Sequence, residues 1–184
     1  MLFNSLEFVL FLIAVVVVYY LIPNNRIRKV FLLVSSYYFY SCWNVAFLTI
    51  LLFETFLSYT VARCFKEERG SRKDKGLLIG TIILLLLPLL VFNCGSIGDL
   101  LSLSGIMMVV PEFKWLLPIG ISFYTFMSIG YVVDVYQKKI HVEKNLLDYA
   151  LFIGFFPQIA SGPIGRAQMM LPQFKEKLHS FIRI

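Results

Sequence analysis

Charged side chains are scarce in this sequence. Asp, Glu, Lys and Arg make up 15% of its 184 residues, whereas hydrophobic residues make up 59%. Soluble domains are about 25% charged and roughly 45–50% apolar by comparison. The composition therefore excludes an ordinary soluble globular protein and predicts an integral membrane protein.

Recognisable catalytic and metal-binding motifs are also missing. The three cysteines, Cys42, Cys64 and Cys94, stand far apart without CxxC spacing, which indicates neither a disulfide framework nor a metal site. The sequence contains no GxSxG elbow, HExxH motif, Walker loop or close pair of catalytic carboxylates. The two histidines, His141 and His179, lie outside the apolar segments, so we predict solvated side chains and no catalytic residue in this chain.

Long apolar runs are what the sequence has in abundance. A chain of this length holds about five or six spans of about 20 residues each. We predict an all-α fold, a single transmembrane helical bundle over residues 1–184, with apolar segments at 1–22, 30–62, 76–92, 115–136 and 146–156. Segment 30–62 is predicted to form a helical hairpin that turns near residues 41–44, or alternatively one tilted span and a partly buried piece.

Basic residues indicate the orientation of the bundle. Sixteen of the 17 Lys and Arg residues fall in four blocks, at 26–29, 63–75, 138–144 and 166–183. Because short loops rich in Lys and Arg stay in the cytoplasm, we predict a multi-pass protein of the inner or plasma membrane with cytoplasmic basic loops and an extracytoplasmic N-terminus. The tail at 171–184 alternates apolar and charged residues at helical spacing and predicts an amphipathic helix on the cytoplasmic interface.

An apolar run breaks into prolines and glycines at residues 155–166. Non-helical backbone at membrane depth is tolerated only where protein or a water-filled cavity satisfies its hydrogen bonds. We therefore predict that segment 146–156 and the break after it are re-entrant or interfacial and border a functional cavity. Arg166 follows the break, where it would bind carbonyls of a broken helix end or an incoming phosphate, or simply anchor the chain on the cytoplasmic side.

Two carboxylates lie inside apolar segments. Each costs a few kcal/mol at mid-bilayer unless it is paired. Glu54 is expected to pair with a basic group or a tyrosine hydroxyl of a neighbouring helix, in a structural or a functional role. Asp134 lies near the cytoplasmic end of its segment, and we expect it to reach the interface.

Four motifs follow one another along most of the chain: LPIGISFYTF at 117–126, YVVDVY at 131–136, FFPQ at 155–158 and GPIGR at 162–166. Together they resemble the membrane-bound O-acyltransferase (MBOAT) family. The opening MLFNS resembles the bacterial branch of that family, which holds polysaccharide O-acetyltransferases and the D-alanine transfer protein of teichoic acid.

The resemblance implies an enzyme that takes an acyl group, acetyl in this branch, from a cytoplasmic acyl-CoA or acyl-carrier thioester. It passes that group to hydroxyls of an extracytoplasmic polysaccharide or cell-wall polymer, through a tunnel inside a ring of helices. By this resemblance the tunnel or donor-entry candidates are Pro157, Gln158, Gly162, Pro163 and Arg166, and the supporting polar residues are Asp134 and Glu54.

Family members are generally more than twice this length, and the resemblance places their catalytic histidine beyond the matching segment. We therefore expect an N-terminal part of such an enzyme, an incomplete ring that transfers no acyl group alone. Expected partners are the bilayer, the C-terminal half of the enzyme, an acyl-carrier protein and an extracytoplasmic acetylation partner, with no nucleic acid, bound cofactor or metal. The alternative is a non-enzymatic membrane subunit or channel-like scaffold.

Overall fold

The computed structural model describes residues 6–42, 44–65, 72–103, 120–161 and 165–175. These residues form helices and, within the ranges just given, no strand, which confirms the all-α prediction. The helices are α1 Leu6–Leu21, α2 Asn25–Ser41, α3 Val45–Cys64, α4 Arg72–Leu103, α5 Ile121–Tyr136, α6 Leu146–Gly154, α7 Phe156–Ser161 and α8 Ala167–Lys175.

The segment predicted as a helical hairpin contains two helices, α2 and α3, which pack against each other. Asn24 begins α2, because its side-chain oxygen accepts a hydrogen bond from the Arg26 amide at 2.9 Å. At the other end, the amides of Cys42 and Asn44 donate to carbonyls of the last turn of α2. Helix α2 therefore ends at the predicted turn, and whether both helices span the membrane stays a prediction.

Helix α4 is longer than the apolar segment that predicted it. It begins at Arg72, contains Pro88 and continues to Leu103, so it extends beyond both ends of the predicted apolar segment 76–92. Among the described helices, two are long and apolar enough to cross a membrane, over Phe47–Cys64 and Lys73–Phe92.

Helix α5 lies at the centre of the bundle, packed on α3 and α4, while α6 packs on α2 and α3. Large apolar side chains point outward from α1 to α4, for example Ile13, Val34, Phe56, Ile83 and Leu90. Such exposed apolar surface on several helices suits contact with acyl chains instead of water.

Four helix termini meet at one end of the bundle: the start of α2, the end of α3, the end of α5 and the start of α6. Lys29 Nζ lies 2.6 Å from Asp148 Oδ1, and the Tyr59 hydroxyl donates to the Lys144 carbonyl at 2.7 Å. We call this the basic end, because it gathers side chains from three of the four basic blocks, namely Arg28, Lys29, Arg63, Lys139 and Lys144.

The tail helix begins earlier than predicted. It starts at Ala167 and not at residue 171, and residues 176–184 of the predicted amphipathic helix lie outside the described ranges. Ala167 and Leu171 are buried, and Phe155 and Phe174 place their ring centroids 6.0 Å apart. The first two turns therefore pack against protein.

Candidate functional site

Only part of the predicted break at 155–166 is non-helical, because Phe156–Ser161 form the short helix α7. Helix α6 ends at Gly154, Phe155 is extended, and α7 begins at Phe156. Pro157 stands in the first turn of α7, where its missing amide proton removes no intrahelical bond. The Phe156 amide donates to Ser36 Oγ of α2 at 3.3 Å. A side chain of α2 therefore satisfies an amide that the helix leaves open.

Aromatic side chains cover this break. Phe156 is 1% exposed, and its ring centroid lies 6.3 Å from that of Phe8, 5.6 Å from that of Phe11 and 5.5 Å from that of Phe39. Edge-to-face contacts of this kind add about 0.5–1.5 kcal/mol each beyond the buried area. Helices α1 and α2 thus enclose the break through the aromatic cluster of Phe8, Phe11, Phe39 and Phe156.

Gly165 brings the chain back onto α7. A Cβ atom at this position would overlap Gln158 Nε2 and Met170 Sδ, so a larger residue would have to displace the ends of these two side chains. Gln158 is buried at 9% exposure, and Pro157 is half-buried. The contact joins α7 to the start of α8.

Arg166 begins α8. Its carbonyl accepts hydrogen bonds from the amides of Met169 and Met170 at 3.0 and 3.1 Å, and the residue is exposed. Gly162 and Pro163, the two remaining donor-entry candidates, lie outside the described residues. The structure thus places Pro157 and Gln158 on α7 and Arg166 at the first turn of α8, and their role in donor entry stays a prediction.

An open cleft of about 490 Å³ lies between the α5–α6 loop and α8. Its lining comes from two parts of the chain that are some 25 residues apart. The loop contributes Ile140, His141 and Glu143, and α8 contributes Ala167, Gln168, Leu171 and Pro172. His141 and Gln168 are exposed. Sequence reasoning missed this cleft because no local pattern marks a surface formed by two distant segments.

Tyrosines fix the loop that forms one wall of the cleft. The Tyr131 hydroxyl accepts from the Glu143 amide at 2.9 Å, and Glu143 Oε1 accepts from the Asn145 amide at 3.0 Å. Arg63 donates to the Tyr59 hydroxyl at 3.2 Å, and that hydroxyl donates to the Lys144 carbonyl. The loop is therefore held by α3 and α5.

Glu54 is fully buried between α3 and α5. Its Oε1 accepts from Thr125 Oγ1 at 3.0 Å, and its Oε2 has no hydrogen-bond partner among the described residues. The hydrogen bond just given comes from a threonine, because α3 presents this position to the face of α5 that carries Thr125. The expected pairing with a basic group or a tyrosine hydroxyl stays a prediction.

Further hydroxyl groups continue from Glu54 towards the basic end. The Tyr149 hydroxyl donates to Ser58 Oγ at 2.6 Å, and Ser58 donates in turn to the Glu54 carbonyl at 2.6 Å. The Tyr131 and Tyr149 ring centroids are 4.5 Å apart. We call this group the polar column. It consists of Glu54, Ser58, Tyr124, Ser128, Tyr131 and Tyr149, each at most 1% exposed.

The sequence contains a helical spacing that marks the polar column. Tyr124, Ser128 and Tyr131 recur at helical spacing i, i+4 and i+7, and Glu54 and Ser58 are also four residues apart. Both sets therefore occupy one face of their helix. Only the packing of α3 on α5 shows that the two faces meet.

Asp134 lies apart from the polar column. Its side chain is 23% exposed at the end of α5, and Lys139 Nζ is 4.0 Å from its Oδ1. Both its reach to the membrane interface and its supporting role stay predictions.

Comparison with known proteins relates the chain to polysaccharide-modifying enzymes. No family model and no solved structure matches it. A protein of Pseudomonas aeruginosa named probable alginate O-acetylase AlgI is 31% identical over 186 residues, which are 98% of this chain and 36% of that protein. The same-named protein of Azotobacter vinelandii is 33% identical over 187 residues, 98% of this chain and 37% of the relative.

A peptidoglycan O-acetyltransferase of Helicobacter pylori is 28% identical over 192 residues, 86% of this chain and 35% of that enzyme. The chain thus spans about a third of the length of the relatives it matches. The predicted resemblance is confirmed: along 98% of its length this chain is homologous to MBOAT-type polysaccharide O-acetyltransferases.

Proposed function

We propose that this chain forms the donor-side part of a membrane-bound O-acyltransferase. The whole enzyme would transfer an acyl group, acetyl by the names of the relatives, from a cytoplasmic thioester to hydroxyls of an extracytoplasmic polysaccharide or cell-wall polymer. The observation that carries this proposal is the match of 98% of the chain to alginate O-acetylases of two bacterial genera.

The basic end would face the cytoplasm. Basic side chains from three separate blocks of the sequence gather there, and loops rich in Lys and Arg remain on the cytoplasmic side of a membrane. The reversal between α2 and α3 at residues 42–44 would then lie at the opposite, extracytoplasmic face.

Segment 146–167 would be re-entrant. Helix α6 leaves the basic end at Leu146 and has nine residues, which correspond to about 14 Å of rise, roughly half of a hydrocarbon core of about 30 Å. The chain then breaks at Phe155, and Ala167 lines the same cleft as Glu143, a residue that precedes α6. The segment thus enters and leaves by the same end, which supports re-entrance with the break at its deepest point.

The cleft and the re-entrant segment would receive the donor. An acyl-CoA or an acyl-carrier thioester carries phosphate, which a guanidinium group binds with charge-assisted hydrogen bonds. Arg166 is exposed one residue before Ala167, a residue of the cleft wall. Gln158 and Pro157 would border the path from this entrance towards the break.

Replacement of part of a known relative tests the proposal. In a Pseudomonas aeruginosa strain without its alginate O-acetylase, a chimera would carry this chain in place of the matching 186 residues. We expect acetyl esters to return to the secreted alginate, measured by proton NMR. A chimera that enters the membrane in normal amount yet leaves the alginate without esters would contradict the proposed function.

A matched pair of variants adds specificity to this experiment. Gly165→Leu would displace Gln158 and separate α7 from α8, so the esters should be lost. Gly76→Leu is the control, because a Cβ there meets nothing within 4 Å. Equal ester content in the two chimeras would argue against a role for the contact between α7 and α8.

A further inference from the structure

We propose that Glu54 holds an exchangeable proton that reaches it from the basic end along the polar column. Glu54 has no part in the proposed donor entrance. Its physical basis is the chain of buried hydroxyl groups between the cleft and the interior of the bundle.

Among the residues that the structure describes, Glu54 is surrounded by hydroxyl groups and has no salt bridge to a cation. Tyr40 of α2, Tyr124 of α5 and Tyr149 of α6 lie within electrostatic range of its carboxyl group. Helix α4 contributes no titratable side chain between residues 76 and 92. The salt bridges within the described ranges, Lys29–Asp148 and Lys139–Asp134, lie at the basic end. Among the described residues, a proton is therefore the available means of balancing this carboxyl group.

Unused hydrogen-bonding capacity at Glu54 gives such a proton somewhere to bind. Glu54 Oε2 and the Tyr124 hydroxyl are both buried and have no hydrogen-bond partner among the described residues. Intramembrane carboxyl groups that face a bundle interior commonly belong to proton relays or substrate pathways. The geometry here fits a relay, because the neighbours are hydroxyls that both accept and donate.

Two hydrogen bonds of the column run from Tyr149 towards Glu54. Tyr149 donates to Ser58, and Ser58 donates to the backbone carbonyl of Glu54, not to its carboxyl group. Tyr131 accepts from the Glu143 amide, and its ring centroid lies 4.5 Å from that of Tyr149. Ser58 and Glu54 lie four residues apart, about 5–6 Å between Cβ atoms. A rotated side chain or one bridging water molecule closes such a gap.

The outer end of the column reaches the open cleft. Glu143, whose amide binds Tyr131, lines that cleft beside the exposed His141. A backbone amide does not pass a proton on, so a proton would reach Tyr131 from the cleft through a water molecule beside Glu143. The inner end is the fully buried Glu54, so the column joins an aqueous surface to the middle of the bundle.

The proposed acyl transfer would require a proton route. This link between the column and the reaction is the only part of the inference that rests on the proposed function. The carbonyl carbon–sulfur bond of the thioester breaks and a carbon–oxygen bond to the acceptor hydroxyl forms. The hydroxyl proton leaves the acceptor and a proton ends on the released thiol. With acceptor and donor on opposite faces, a proton must cross part of the membrane, and the polar column spans part of that distance.

Infrared spectroscopy of the protein in lipid nanodiscs tests the inference without any substrate. Transfer to D2O shifts the carbonyl band of a carboxylic acid, and the band that disappears in Glu54→Gln belongs to Glu54. We expect this band to exchange readily in the unmodified protein. Ser58→Ala and Tyr149→Phe should each slow the exchange by about tenfold or more, as an added barrier of 1.4 kcal/mol would.

Thr81→Ala is the matched control, because Thr81 is also a buried hydroxyl that donates to the carbonyl four residues earlier, on α4 and away from the column. It should leave the exchange rate unchanged. Circular dichroism identifies any variant that fails to fold, and Ser58→Ala, the smaller change, then decides the result.

Two outcomes would overturn the inference. The first is the absence of any carboxylic acid band that Glu54→Gln removes. The second is an exchange rate that Ser58→Ala and Tyr149→Phe leave unchanged, which would show a purely structural hydrogen-bond cluster. Neither outcome depends on the alginate experiment, so a failure of acyl transfer and a failure of the proton route are distinguishable.

Discussion

Replacement of Lys29 by methionine should destabilise the bundle strongly. Lys29 Nζ lies 2.6 Å from Asp148 Oδ1, and the two side chains are 14% and 4% exposed. The variant keeps most of the apolar stem of Lys29 but removes its charge. Asp148 would then keep a hydrogen bond from Asn145 Nδ2 at 3.0 Å and lose its cation.

The expected cost follows from the burial of this pair. Removal of one partner of a buried ion pair costs about 3–5 kcal/mol, because the other charge stays behind uncompensated. Solvent access to Lys29 and the remaining bond from Asn145 place the expected loss near the lower limit, at about 3 kcal/mol. Exchange of both partners, Lys29→Met with Asp148→Leu, should recover much of this loss, because an apolar pair leaves no buried charge.

Lys139→Met provides the matched control. Lys139 is 61% exposed, its Nζ is 4.0 Å from Asp134, and exposed pairs contribute at most about 1 kcal/mol. Reversible unfolding in mixed micelles of dodecyl maltoside and SDS, followed by circular dichroism, gives the free energy of unfolding. If Lys29→Met and Lys139→Met destabilise the protein equally, the Lys29–Asp148 ion pair does not hold α2 to α6.

Three further predictions use the same unfolding assay. Gly165→Ala should cost about 1 kcal/mol, the lower end of the cost of overpacking, because only the ends of the Gln158 and Met170 side chains must move. Gly76→Ala should be neutral or slightly stabilising, and equal effects would contradict the close approach at Gly165. Ser36→Ala should cost about 1–3 kcal/mol, because it leaves the buried Phe156 amide without its acceptor; an unchanged free energy would show that the amide finds another partner. Phe156→Ala should cost about 3–5 kcal/mol, and a loss no larger than that of Phe126→Ala, at a residue 46% exposed, would argue against the aromatic cluster.

The break after α6 was predictable because its causes are local. Pro157 and the glycines that follow alter the backbone wherever they occur, so their positions in the sequence mark the end of a helix. The turn between α2 and α3 was predictable from length, because an apolar segment of 33 residues is too long for one helix across the membrane.

The polar column was not predicted, because its contacts join residues far apart in the sequence. Thr125 and Tyr149 lie 71 and 91 residues from their partners on α3. Helical spacing identifies which face carries Glu54 and Ser58, yet only tertiary packing determines which helix covers that face. The cleft was also not predicted, because its two walls come together only when the α6–α7 segment folds.

The start of α8 was misplaced for a physical reason. The prediction began at residue 171, because the apolar residues of the tail recur at helical spacing from there. In the structure the carbonyl of Arg166 starts the helix, and Pro172 is its sixth residue. Burial of Ala167 and Leu171 against the bundle stabilises this earlier start.

Cysteine labelling from the two sides of the membrane tests most directly whether segment 146–167 returns to the face it left. In a protein with Cys42, Cys64 and Cys94 replaced by serine, single cysteines would be introduced at the exposed positions His141, Gln168 and Asn44. An impermeant maleimide should reach His141→Cys and Gln168→Cys only from the cytoplasmic side, and Asn44→Cys only from outside. Labelling of Gln168→Cys from outside alone would contradict the re-entrant segment and the donor entrance built on it.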